Sequence, residues 1–191
     1  DVYKGQLLGL GYPGGPLVEQ FAREGNARRF DFPRPLKGRK DCNFSFSGLK
    51  TAVREAVQNL ALLSEQDIAD VCASFELAVA ETLQDRLKMA FATFREAHPE
   101  AMEPALIVAG GVSANMTLKT VLAASALESG FKLIVRPASL CTDNGAMIAW
   151  AGAERLTLGL VDDLNFMARA RWPLDEVSTP VYGSGKLGAK A

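Results

Sequence analysis

The chain has 191 residues, 48% of them hydrophobic and 23% charged, enough for one domain or for one lobe and part of another. No apolar run approaches the roughly 18 residues of a membrane span, and 21 Lys and Arg against 22 Asp and Glu give a formal charge of −1, so global charge does not advertise nucleic-acid binding. Cys42, Cys72 and Cys141 form no CxxC pair, which suggests neither a disulfide framework nor a structural zinc site and points to a cytoplasmic protein.

Residues 2–10 carry apolar side chains at helical spacing, and Gly11-Tyr-Pro-Gly-Gly-Pro16 stops that helix. A short helix over 17–24 is predicted next, followed by a Pro/Arg/Lys-rich connection to Asp41. Within 23–40, Arg23, Arg28, Arg29, Arg34, Lys37, Arg39 and Lys40 stand near the acids Glu24, Asp31 and Asp41. Both a solvated loop face and a contact to RNA phosphate fit this patch. The Phe44-Ser-Phe46 alternation fits a short strand, and Ser45 or Ser47 can cap the helix behind it.

Ser64-Glu-Gln-Asp67 resembles a capping box, and Ile68, Cys72, Phe75, Val79, Leu83 and Leu87 recur at three- and four-residue steps, predicting a long helix over about 64–97. Strand 105–109, helix 113–128, strand 132–136 and helix 143–158 then follow in βαβα order, implying a parallel sheet with a right-handed crossover. The last thirty or so residues read as irregular chain and a loose end.

Four polar turns could carry chemistry. Leu106 to Asn115 is an apolar strand broken at Gly110-Gly111, with Ser113 placed to cap the next helix; Asn115 could hydrogen-bond a base edge or merely cap. Asp143 at a helix start could be a cap or a metal ligand. Gly15 could admit a ribose whose hydroxyls Glu19 accepts, although a bend with a solvated Glu fits equally. Ser45, Ser47 and Lys50 together suit phosphate, but there is no Walker sequence. The single histidine, His98, sits beside Pro99 at a helix end and reads as surface; it cannot build a zinc-protease site.

Tyr12-Pro-Gly-Gly-Pro16, Phe44-Ser-Phe-Ser-Gly-Leu-Lys-Thr51, Ala109-Gly-Gly-Val-Ser-Ala-Asn115, Cys141-Thr-Asp-Asn-Gly-Ala-Met-Ile-Ala149 and Arg169-Ala-Arg-Trp-Pro173 together resemble, in strict order, the TsaD family of tRNA threonylcarbamoyladenosine transferases, closest to its bacterial branch. The resemblance implies an α/β fold, a helix-rich lobe of the ASKHA (actin/Hsp70/hexokinase-like) type with a mixed or parallel sheet, belonging to a two-lobed protein of which this would be the C-terminal part. Its domains would run over 1–175, with a helical insertion at about 16–98 and a βαβα nucleotide-binding core at about 104–158, and a tail at 176–191.

Carried over residue by residue, Gly15 matches a substrate-binding glycine, Asn115 a substrate-binding asparagine, Glu19 a ribose-binding acid and Asp143 the aspartate of a metal site, with Gly110 and Gly111 framing the adenylate. A further substrate-binding aspartate of the family falls on Val2, so residues 1–6 depart from the pattern. The activity implied is transfer of threonylcarbamoyl from threonylcarbamoyl-adenylate to the exocyclic amine of the adenosine 3′ of a tRNA anticodon, with no nucleophilic residue required. The resemblance also implies one divalent metal, iron in preference to zinc, whose His-x-x-x-His ligands are not in this sequence. The expected partners are tRNA, TsaB and TsaE, and the isolated piece is expected to be inactive. Glycine turns alone leave two other readings, an ASKHA-type phosphotransferase such as a sugar kinase and a non-catalytic nucleotide-dependent interaction module.

Overall fold

A computed structural model describes residues 8–60, 62–137, 140–141 and 144–167. They fall into two compact units, one ending at Asn144 and the other starting at Gly145. The first contains helices α1 (Gly14–Ala22), α2 (Ser47–Gln58) and α3 (Glu65–Ala97), strand β1 (Ala105–Val108), a 3₁₀ turn (Gly111–Ala114), helix α4 (Met116–Glu128) and strand β2 (Lys132–Val135). The second contains helix α5 (Gly145–Thr157), on which Ile148 and Trp150 are exposed. No described helix is long and apolar enough to cross a membrane.

Helix α3 is the spine. Ser64 and Asp67 close a reciprocal capping box at its start, the Ser64 hydroxyl accepting from Asp67 N–H while the Asp67 carboxylate accepts from Ser64 N–H. Its 33 residues span about 50 Å at 1.5 Å per residue. One end packs Val71, Cys72 and Ala78 with Leu49 and Val53 of α2, Ala22 of α1 and Phe32. The other packs Leu87 and Phe91 with Leu122 and Ala126 of α4 and with Phe131, whose ring stacks on Phe91 at 4.3 Å. Leu106, Val108 and Leu133 cover this second cluster, so one face of the sheet rests on α3 and α4.

β1 and β2 pair in parallel, Ala105 opposite Lys132 through Val108 opposite Val135. A parallel pair needs a crossover, and α4 supplies it. Both strands alternate exposed and half-buried residues, which leaves Ile107 and Ile134 on the outer face.

Several boundaries differ from expectation. α1 starts at Gly14 rather than 17: Pro16 falls in its first turn, where a missing N–H costs nothing. Residues 44–46 pair with no strand among the described residues. α4 starts at Met116 because Gly111–Ala114 tighten into the 3₁₀ turn, and its N-cap is Asn115, not Ser113. α2 is preceded by Phe46, with no side-chain cap; Ser45 Oγ only accepts a long 3.5 Å bond from Ser47 N–H. The predicted helix at 2–10 lies outside the described residues save for its last three, and so does the chain from 168 onward.

The basic segment is a clasp on α3. Arg29 reaches Asp67 at 2.5 Å and Asp70 at 2.8 Å, Arg34 reaches Glu81 at 2.7 Å, and Arg39 pairs with Asp41. Arg86, with no exposed side-chain surface, donates to the carbonyls of Asp41 (2.7 Å) and Arg39 (3.1 Å) and pairs with Asp85. At Gly25 the clasp comes so close to α3 that a Cβ would stand 2.0 Å from the Ala69 carbonyl oxygen.

Candidate functional site

The turn between β1 and α4 is shaped by backbone angle. Gly110 adopts φ +86°, a left-handed conformation that L side chains rarely take. A Cβ at Gly110 or Gly111 would meet nothing within 4 Å, so conformation rather than crowding explains the first glycine. Ser113 Oγ donates to Gly110 O at 2.6 Å and locks the turn. Ser113 Oγ also lies 3.2 Å from the Cys141 sulfur, which ties this turn to the chain beyond β2.

Asn115 is extended and caps α4, its Oδ1 accepting from Leu118 N–H at 2.8 Å. Its Nδ2 donates to Glu76 Oε1, in the middle of α3, at 2.6 Å. The amide has two N–H groups, so one bond to Glu76 leaves a second donor on the same nitrogen. Glu19 arrives from α1: its Oε1 accepts from Met116 N–H at 3.2 Å and from Arg23 at 3.3 Å, and its side chain is only 14% exposed. A carboxylate at the first N–H of a helix complements the partial positive charge there. Glu19, Glu76 and Asn115, from three helices, therefore meet at the start of α4.

Gly15 lies exposed in the first turn of α1, four residues before Glu19 and so on the same helical face. Ser45, Ser47 and Lys50 stand at the start of α2. Asp143 lies outside the described residues. No group of three or more His, Cys, Asp or Glu that could hold a metal occurs among the described residues.

A cleft of about 400 Å³ opens beside this turn, lined by Ser113, Met116, Lys119, Val135 and Arg136 among others. It lies outside the carboxyl ends of β1 and β2, where open α/β sheets bind ligands. On α3, one turn before Glu76, burial and the Glu76 charge push the Cys72 thiol up to about 12, so it stays protonated and inert.

Sequence reasoning missed Glu76, Lys119 and Arg136. Glu76 interrupts the apolar pattern of α3 as any solvent-facing acid would, and its partner lies 39 residues away. Arg136, directly after a strand, carries the better signal, since the residues following parallel strands line such clefts.

The tRNA N6-adenosine threonylcarbamoyltransferase (TsaD) family model matches residues 4–150. A Brucella anthropi protein called tRNA N6-adenosine threonylcarbamoyltransferase is 55% identical over 186 residues, and a Rhizobium meliloti protein of the same name is 57% identical over 187. Each match covers 97% of this chain and 52% of the relative, so the chain spans about half the length of the curated relatives it matches. On the family match and these identities, the chain belongs to the TsaD family.

Proposed function

We propose that this chain is the adenylate-binding lobe, of actin/Hsp70/hexokinase type, of an enzyme that transfers threonylcarbamoyl from threonylcarbamoyl-adenylate to a tRNA adenosine. The observation that carries this reading is the meeting of Glu19 and Asn115, remote in sequence, at the start of α4, directly after the Gly110–Gly111 turn. The second N–H of Asn115 suits a base edge or ribose oxygen, and the bonds from Arg23 and Met116 to Glu19 both end on Oε1, which leaves Oε2 to accept from ribose hydroxyls. Gly15, one turn before Glu19, admits the sugar without a side chain in the way.

In the reaction the adenosine amine attacks the carbamoyl carbon. A C–N bond forms, the C–O bond to the phosphate breaks, AMP takes the electron pair and the amine gives up a proton. Nothing in this chain needs to be a nucleophile; holding the donor in line with the amine and stabilising charge on the leaving phosphate supply the acceleration. Asp143 would supply one carboxylate to a divalent metal, iron in preference to zinc, which would polarise the carbamoyl or phosphate oxygens; its histidine ligands are not found in these 191 residues. TsaB and TsaE are the proposed protein partners, and tRNA the acceptor.

The test is calorimetric titration of AMP into the full-length enzyme carrying Asn115→Ser or Glu19→Ala. Serine still caps α4 but lacks the amide. Affinity for AMP falls about tenfold or more in both, the scale of one or two lost hydrogen bonds to a ligand. Wild-type affinity in both variants would remove the reading.

A further inference from the structure

We infer that Lys119 and Arg136 clamp the phosphate of the bound adenylate, a role that rests on the adenylate-binding reading of the same site. Lys119 comes from the first turn of α4 and Arg136 is the residue directly after β2, so two elements deliver one cation each to the same cleft. Neither has an ion-pair partner among the described residues, whereas Arg29, Arg34, Arg39 and Arg86 are each held by carboxylates. Two cations sharing a cleft repel unless an anion sits with them. The planar guanidinium meets two phosphate oxygens at once, and the ammonium adds a point charge.

Met116 connects this cleft to the rest of the site. Its side of the helix lines the cleft, while its N–H is bonded to Glu19, the acid assigned to the ribose. Ribose and phosphate are neighbours in a nucleotide, so a sugar at Glu19 brings its phosphate toward Lys119 and Arg136. The cleft volume, about 400 Å³, falls in the range of roughly 300–1,000 Å³ typical of small-molecule sites, and Met116 and Val135 give it apolar walls. As the C–O bond of the donor breaks, the phosphate gains negative charge, and the clamp neutralises that charge where it develops.

The experiment compares AMP with adenosine, which lacks the phosphate, in the full-length enzyme carrying Lys119→Gln, Arg136→Gln or Lys119→Arg. Each glutamine variant weakens AMP about tenfold, the scale of one charge-assisted bond, and leaves adenosine unchanged; Lys119→Arg keeps AMP affinity. The inference is overturned if AMP affinity stays at the wild-type level, if AMP and adenosine weaken together, or if only tRNA binding falls, which would assign the cations to the RNA backbone. Wild-type AMP affinity in both glutamine variants, with Asn115→Ser still impaired, would remove the clamp and leave the adenylate reading standing. A wild-type enzyme that bound neither AMP nor adenosine would remove both.

Discussion

Asn115 Nδ2 donates to Glu76 Oε1 across 2.6 Å, joining the N-cap of α4 to the middle of α3. The bond fixes the amide's rotation, and with it the direction of the remaining N–H. Glu76 is thus a positioning residue. Glu76→Ala leaves Asn115 without its charged acceptor, at a cost of about 1.5–3 kcal/mol in urea unfolding. It also weakens AMP in the full-length enzyme, while Glu76→Gln, which retains a carbonyl acceptor, recovers most of that affinity. Equal AMP affinity in the alanine variant and wild type would show that Asn115 needs no such support.

Gly25 is required by contact rather than by backbone angle. A methyl group there would stand 2.0 Å from the Ala69 carbonyl oxygen, and backbone cannot swing aside as a side chain can. Gly25→Ala should destabilise the protein by about 1–3 kcal/mol, the usual range for overpacking, measured as a lower denaturation midpoint. An unchanged midpoint would mean that the clasp and α3 lie further apart than described.

Acid should loosen the same clasp. The Ser64 hydroxyl, the Ser64 N–H and Arg29 hold the Asp67 carboxyl at about 2, below its ordinary 3.8. A carboxyl with a depressed folded value binds its proton more readily in the unfolded chain. Its stabilisation is therefore full above about pH 4 and drains away as pH falls toward 2. Asp70 and Asp85, held low chiefly by Arg29 and Arg86 respectively, act in the same direction. Asp67→Asn should be less stable than wild type at neutral pH and lose less stability between pH 4 and 2, as read from urea midpoints across that range.

The three cysteines should separate by reactivity. Cys42 is exposed, while Cys72 is buried with its thiol held near 12 and Cys141 is buried against Ser113. Brief treatment of the native protein with iodoacetamide at pH 8, followed by mass spectrometry, should label Cys42 first and leave Cys72 unmodified. Rapid labelling of Cys72 would contradict the packing of α3 against α2.

What could be read from the chain alone divides along local and distant causes. Helix α3 was legible end to end, because Ser64 and Asp67 announce its start and the apolar step continues to its last turn. The parallel pair was legible from the order of its elements. The start of α4 was displaced because two residue types compete to cap it: Ser113 folds back on Gly110, and the cap passes to Asn115. Phe44-Ser-Phe46 has the alternation of a strand, yet alternation cannot supply a pairing partner. The basic segment fits a solvated face and an RNA contact alike, because the sequence does not show that Arg29 and Arg34 meet Asp67, Asp70 and Glu81, acids that stand more than thirty positions further along. Glu76 and Arg86 were illegible for the same reason, since a charged residue in a helix does not disclose what it will meet.

The most direct test of the central claim is transfer itself. Full-length enzyme, wild type or Asn115→Ser, is supplied with preformed threonylcarbamoyl-adenylate and unmodified tRNA, and threonylcarbamoyladenosine is measured by mass spectrometry of the digested RNA. The account predicts robust modification by the wild type and a loss of about tenfold or more in the variant at subsaturating donor, with an unchanged circular dichroism spectrum. Undiminished transfer by Asn115→Ser at every donor concentration would contradict it.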